Sequence, residues 1–159
     1  MPFTPFHFGA HTLVALSFKK QVDIPAFILA NVVIDVEPLL VMLFNFDYPL
    51  HGYAHTLLGA SIIGLLWGIV AYMFRAPLGK MMNFLGLPAS SSLIMSLLSG
   101  LLGGCLHVLF DAPIYTDIRP FYPLNINPLY GIISISQIYL LCKILFIPAI
   151  VVYFLVRKK

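Results

Sequence analysis

Residues 48–74 read YPLHGYAHTLLGASIIGLLWGIVAYMF and contain no Asp, Glu, Lys or Arg. A second uncharged stretch lies between Lys80 and Asp111. Each stretch is longer than the roughly 20 residues that cross the hydrocarbon core of a bilayer as a helix. Neither stretch has the ten-residue alternation of an outer-membrane barrel strand, and helices satisfy their backbone groups within one segment. The sequence therefore predicts an all-α integral membrane protein.

The composition of the whole chain agrees with this prediction. Of its 159 residues, 60% are hydrophobic and 9% are charged, and the mean hydropathy is +0.97. A soluble domain carries roughly 25% charged residues, so a soluble class is excluded. The length suits about four spans. We therefore predict a polytopic bundle that forms a single integral membrane domain over residues 1–159.

The segments are divided by charges, prolines and helix-capping residues. A Thr-Pro pair followed by an apolar run of about 21 Å predicts a half-helix that is too short to span the bilayer. The second apolar segment contains Asp35 and Glu37, and Pro38 predicts a kink in it. A polar loop from Asp111 to Pro128 separates the last two spans. The predicted boundaries are Thr4–Pro5 to Lys19–Lys20 for the half-helix, and Asp23 to about Phe46, His51 to Phe74, Ser91 to Leu109 and Leu129 to Val156 for the spans.

The positions of the cations predict the orientation. Seven of the nine Lys and Arg residues lie at three segment ends: at 19–20, in the 75–80 connection and at 157–159. Cytoplasmic loops are enriched in Lys and Arg, so these ends, including the C-terminus, are predicted to be cytoplasmic. The net charge of +3 is thus a topology signal, and no nucleic-acid partner is expected. The prediction is a multi-pass protein of the plasma (inner) membrane.

All five histidines belong to pairs spaced four residues apart, which places both side chains on one helix face. The pairs are His7 with His11, His51 with His55, and His107 with Asp111. The same spacing lets a metalloprotease helix present two imidazoles to one zinc ion. Two carboxylates in the second segment extend the set. The candidate ligands are His7, His11, Asp35, Glu37, His51, His55, His107 and Asp111.

The predicted depths of these side chains agree. Counting about 1.5 Å per residue from the cytoplasmic ends places them in the outer half of the membrane, near the outer face. One intramembrane His or Asp is usually explained by a bond between helices. So many ionisable groups are satisfied most simply by a metal cluster, because each costs several kcal/mol in hydrocarbon. Zinc suits the imidazole-rich set, and manganese and iron stay open.

The order of these motifs is similar to that of the YdjM-like family of inner-membrane metal-dependent hydrolases. It comprises an early His, D35-V36-E37-P38, H51-G52-Y53-A54-H55-T56 and H107-V108-L109-F110-D111. More remotely, it resembles the zinc-dependent phospholipases C and P1-type nucleases. The chain departs from the family pattern at Gly52, where Arg is usual, and at Glu37, where Asp is usual. The resemblance implies that the metal ligands are His7, Asp35, His51, His55, His107 and Asp111.

The resulting hypothesis is a membrane-embedded hydrolase that cleaves a phosphoester of a lipid or lipid-linked substrate with metal-activated water. Asp35 and Glu37 are the candidate catalytic carboxylates, as general base or as ligands of a second ion. Arg119 is a weaker candidate for contact with the substrate phosphate. Two alternatives stay open: a non-catalytic membrane subunit stabilised by metal, and a transporter with a proton or cation relay. The bilayer and a lipid substrate are the expected partners, and the oligomeric state is left open.

Overall fold

The computed structural model describes residues 7–90 and 92–157, which form helices joined by loops and contain no strand. The all-α prediction is therefore confirmed for this part of the chain. A 3₁₀ turn at Tyr53–His55 comes directly before the fourth helix. The helices are α1 (His7–Ser17), α2 (Ile24–Ile34), α3 (Val36–Phe44), α4 (Leu57–Met73), α5 (Arg75–Phe84), α6 (Leu93–Asp111) and α7 (Ile135–Val156).

Three helical stretches in the described ranges are long and apolar enough to cross a membrane: Ile24–Phe44, Leu93–Asp111 and Ile135–Val156. The first combines α2 and α3. A fourth span requires α4 and α5 together, and these two helices meet at a bend of 80°. With its 17 residues, α4 covers only about 25 Å, which is shorter than a hydrocarbon core of about 30 Å.

Two predicted boundaries are moved by capping residues. The second span was expected from His51, but α4 begins at Leu57 because the Thr56 hydroxyl accepts a hydrogen bond from the Gly59 amide at 2.9 Å. The last span was expected from Leu129, yet α7 begins at Ile135, where Ser134 forms a capping box with Gln137.

One predicted connection is a helix in the structure, and some predicted boundaries cannot be compared. The predicted connection from Arg75 to Lys80 is a helix, α5, which extends to Phe84. The predicted starts at Thr4–Pro5 and Ser91 lie outside the described residues, as do the last two lysines of the C-terminal cation group.

The stretch Ile24–Phe44 is broken between α2 and α3, close to Pro38, where the sequence predicts a kink. Pro38 has no amide hydrogen, so it cannot donate to the carbonyl of residue 34, and α2 ends at Ile34. Asp35 lies at the break and α3 begins at Val36. At the other end of α2, the buried carboxylate of Asp23 caps the helix and accepts a hydrogen bond from the Ser96 hydroxyl of α6. The start of α2 is thereby fixed to α6, and Asp35 lies at the opposite end of α2.

Glycines let α4 and α6 approach closely. A Cβ atom at Gly64 would clash with the backbone carbonyl of Gly100, and one at Gly100 would clash with the carbonyl of Gly64. On the neighbouring face of α6, Gly103 lies against the backbone of Phe27 in α2. Gly64 and Gly68, like Gly100 and Gly104, have the GxxxG spacing of close helix contacts, and α6 packs against both α2 and α4.

The ends of three helices come together at one end of the bundle. The Lys19 ammonium, just after α1, donates to the Val156 carbonyl at the end of α7, at 2.6 Å. The Tyr153 hydroxyl of α7 donates to the Leu85 carbonyl after α5, at 3.1 Å. Cation-bearing segments therefore share one end, and the 3₁₀ turn and the break at Asp35 lie toward the other.

Replacing Gly64 by alanine is expected to destabilise the bundle, because the added methyl group overlaps the Gly100 carbonyl and overpacking costs about 1–3 kcal/mol. The matched control is Gly79→Ala in α5, where the nearest atom to an added Cβ is the Ala89 Cβ at 3.6 Å. Thermal unfolding in detergent should show a lower Tm for Gly64→Ala and an unchanged or higher Tm for Gly79→Ala. Equal Tm values for the two variants would contradict the close contact between α4 and α6.

Candidate metal centre

Four side chains from three segments converge between α2, α4 and α6. Asp35 lies at the break after α2, His55 ends the 3₁₀ turn before α4, and His107 and Asp111 lie one turn apart on α6. One nitrogen or oxygen atom from each of the four lies within 4.8 Å of the others. The last three are fully buried. These four residues could hold a metal ion, and we call them the metal-binding group for that reason.

The separations within this group are those of ligands around a small ion. His107 Nε2 lies 3.3 Å from Asp35 Oδ1 and 3.4 Å from Asp111 Oδ2. His55 Nε2 lies 3.9 Å from Asp35 Oδ1. Two atoms that each bind an ion at about 2.0–2.2 Å lie about 3–4 Å apart, so these distances match a shared cation.

The residues fit a divalent cation also in their hydrogen bonding. Within the described residues, His55 Nε2 and His107 Nε2 are buried and have no hydrogen-bond partner. A buried polar group without a partner costs about 1–3 kcal/mol, and a charged one costs more. A cation bound to two imidazole nitrogens and two carboxylates would remove this cost. This donor set suits zinc, and also manganese or iron.

Glu37 fixes the orientation of His55. His55 Nδ1 donates to Glu37 Oε2 at 2.9 Å, so the lone pair of the neutral ring is on Nε2, the atom directed into the metal-binding group. Burial lowers the pKa of His55 below its ordinary value, although the Glu37 hydrogen bond opposes this effect. The ring is therefore neutral at pH 7, as a metal ligand must be.

The same carboxylate organises the loop before α4. It accepts hydrogen bonds from the backbone amides of Gly52 at 2.9 Å and Ala54 at 3.0 Å. The Tyr48 hydroxyl donates to it at 3.3 Å. With the His55 bond, four donors converge on Glu37. Of the two carboxylates predicted to be catalytic, Asp35 therefore lies in the metal-binding group, while Glu37 lies behind His55, where it orients a ligand.

His51 lies next to the metal-binding group and outside it. Its ring centre is 4.7 Å from that of His55. His51 Nδ1 donates to Asp117 Oδ1 at 2.9 Å, and the His51 amide donates to Asp117 Oδ2 at 3.0 Å. Burial raises the pKa of Asp117, but the hydrogen bonds from His51 outweigh it, and the pKa is lowered. Asp117 is a site residue that the sequence did not indicate.

The half-helix brings two more imidazoles to the other side of Asp111. His7 Nε2 lies 3.2 Å from Asp111 Oδ1, and its ring centre is 5.0 Å from that of His107. His11 is also buried: its Nδ1 donates to the His7 carbonyl at 2.8 Å, and its Nε2 has no partner in the described ranges. Asp111 thus offers one oxygen to the metal-binding group and the other to His7.

Arg119 lies apart from these ligands, in the exposed loop after α6. Its Nη1 donates to the Asn125 side-chain oxygen at 3.0 Å. Gly52 has no room for a side chain because the Tyr48 phenol occupies the position of its Cβ.

Comparison with known proteins gives no relative: no family model matches the chain, and no curated protein or solved structure is significantly similar to it.

The metal-binding group is expected to hold a divalent cation that depends on its carboxylates. Asp35→Asn should remove most of the metal from detergent-purified protein, because it weakens a charged ligand. Asp23→Asn is the matched control. Asp23 is also a buried aspartate next to α2, but its carboxylate caps the start of that helix and accepts a hydrogen bond from Ser96. Elemental mass spectrometry gives metal per chain. Equal metal in both variants, or none in the folded wild type, would contradict the site.

Glu37→Gln is expected to lower metal affinity by about 10- to 100-fold, as the loss of a partner that orients a ligand typically does. Tyr48→Phe is the control, because it removes the longest of the four hydrogen bonds to the same carboxylate, together with the acceptor of the Tyr53 amide, and leaves the His55 bond in place. Competition with a fluorescent chelator measures the affinity of each variant. An unchanged affinity in Glu37→Gln would show that the orientation of His55 does not depend on this bond.

Proposed function

We propose that the protein is a membrane-embedded metal-dependent hydrolase that cleaves a phosphoester of a lipid or lipid-linked substrate. The observation that carries the proposal is the metal-binding group, a buried set of two imidazoles and two carboxylates with unpartnered ligand atoms. The order of the motifs adds the reaction class, since it resembles that of the YdjM-like hydrolases and, more remotely, that of the zinc phospholipases C. We propose zinc as the ion, with manganese or iron as substitutes.

The proposed topology places this group toward the outer face of the inner membrane. The α4–α5 pair would serve as the fourth span, and the cation-bearing end of the bundle would be cytoplasmic. Support comes from the contacts that bring Lys19 and the end of α7 together, far from His55 and His107. The C-terminus is then cytoplasmic.

The residues of the site suit phosphoester hydrolysis. A divalent cation, when bound, polarises a phosphoryl oxygen and lowers the pKa of a bound water toward about 7. Asp35, His55, His107 and Asp111 would hold it, and Glu37 keeps His55 in the ligating tautomer. The second oxygen of Asp111, together with His7, offers a position for a further ion.

A proton acceptor stands beside the metal-binding group. Because Asp117 accepts the Nδ1 proton of His51, the His51 lone pair is on Nε2. His51 can therefore take a proton at Nε2 and return it to a leaving group, while Asp117 holds the ring in place and stabilises the charged form. We therefore propose that His51 transfers protons and is not a metal ligand.

The proposal predicts phosphoester hydrolysis that is abolished by EDTA and restored by zinc, manganese or iron. Asp35→Asn should reduce the rate by at least about 100-fold, and Asp23→Asn should leave it largely unchanged. Release of phosphate or of the alcohol is followed with phospholipids in mixed micelles and with soluble nitrophenyl phosphate esters. Faster turnover of the lipids is expected, because the site lies in the membrane.

Three results would contradict the proposal. Equal turnover of soluble and lipid esters would refute the lipid substrate. Metal that raises the Tm without any hydrolysis would favour the non-catalytic subunit. Metal-dependent ion flux in proteoliposomes without hydrolysis would favour the transporter.

A further inference from the structure

A pocket of about 400 Å³ opens beside the metal-binding group, between the loop before α4 and the loop after α6. His51 is part of its wall, and the His51 ring is also in contact with that of His55. The His51 wall of the pocket is therefore adjacent to the metal-binding group. We call it the loop pocket. The lining residues used below are Tyr48, His51, Tyr53, Asp117, Arg119 and Tyr122.

The aromatic side of the loop pocket has the character of a membrane interface. The rings of Tyr53 and Tyr122 meet edge to face with their centres 5.2 Å apart, and the Tyr48 ring centre lies 6.2 Å from that of Tyr53. All three side chains are exposed. Tyrosine rings with exposed hydroxyl groups concentrate where lipid headgroups meet water. The loop pocket thus lies at the level of the headgroups.

The loop pocket contains one guanidinium, that of Arg119, and one carboxylate, that of Asp117. Arg119 is the only Lys or Arg in residues 45–56 and 112–134, which form the loops at this end. The acidic residue of the pocket, Asp117, already accepts two hydrogen bonds from His51. One guanidinium nitrogen of Arg119 is held by Asn125 at 3.0 Å, and a guanidinium has five N–H donors in a planar fork. The remaining donors match the paired oxygens of a phosphate.

We infer that the loop pocket binds the phosphate of a phosphate-bearing headgroup and that Arg119 is its guanidinium contact. The inference deepens the proposed function and rests on it for the chemistry at the metal-binding group. A lipid is the expected source of the phosphate, because the tyrosines place the pocket at the interface. Free phosphate shares the same chemistry and is separated from the lipid by the test.

The test uses the full-length protein as purified in detergent, with a dioleoyl phosphonate analogue of phosphatidate as probe, because its P–C bond is not hydrolysed. Dioleoylglycerol, with the same acyl chains and no anion, is the comparison ligand. Native mass spectrometry or fluorescence titration gives the Kd. Arg119→Gln is expected to weaken phosphonate binding about tenfold or more, the usual loss for a charged hydrogen bond, and Arg119→Lys less.

Arg75→Gln is the matched control, since Arg75 is also an exposed arginine but lies at the start of α5, where it contacts Tyr72. It should bind the phosphonate as the wild type does. Arg119→Gln should keep the wild-type metal content and Tm, which shows that the loss is local. Displacement of the probe by inorganic phosphate at similar concentrations identifies free phosphate as the ligand, and displacement only by the lipid identifies the headgroup.

The inference is overturned if Arg119→Gln binds the phosphonate as tightly as the wild type, or if dioleoylglycerol binds equally well. These results are distinct from a failure of the proposed function. Phosphonate binding that depends on Arg119, in a protein that cleaves no phosphoester, refutes the hydrolase and leaves the loop pocket standing. Hydrolysis that continues with unchanged binding in Arg119→Gln refutes the loop pocket alone.

Discussion

The carboxylate of Glu37 holds the loop before α4 against α3, and the position of the His55 ring depends on this carboxylate. Two backbone amides, one phenol and one imidazole converge on this group. Without Glu37, no hydrogen bond would hold the proton of His55 on Nδ1 or direct Nε2 into the metal-binding group. The break at Asp35 serves the same end, because it places Asp35 and Glu37 beside each other at the point where helix geometry is interrupted.

Close packing in the middle of the bundle makes this polar end possible. The backbones of α4 and α6 meet at Gly64 and Gly100, so the side chains one or two turns away are brought within a few ångströms of each other. His107 on α6 thereby meets the residues that precede α4. Larger residues at the contact would separate the helices and the ligands with them. Site geometry and helix packing are therefore one constraint in this protein.

Much of this arrangement follows from local sequence rules. The i, i+4 spacing places His107 and Asp111 on one face of α6, and Pro38 accounts for the break in the first stretch. No local sequence pattern predicts the contacts between residues that are far apart in the sequence. Asp117 reaches His51 across 66 residues, and Glu37 orients His55 only because the loop between them folds back. The sequence did not predict the 3₁₀ turn or the helix α5. The polar residues before α4, and the cations Arg75 and Lys80, are equally typical of a loop.

Charge balance explains why a divalent cation suits this end of the bundle better than protons. Asp35 and Asp111 bring two negative charges to one small volume, and an isolated charge is strongly disfavoured in an apolar medium. Two protons on the imidazoles would cancel the same charge, but each proton would occupy the lone pair of a single nitrogen. A doubly charged ion cancels both carboxylates and accepts both lone pairs at once. A bound divalent cation would therefore neutralise Asp35 and Asp111 and use the buried lone pairs of His55 and His107 in one place.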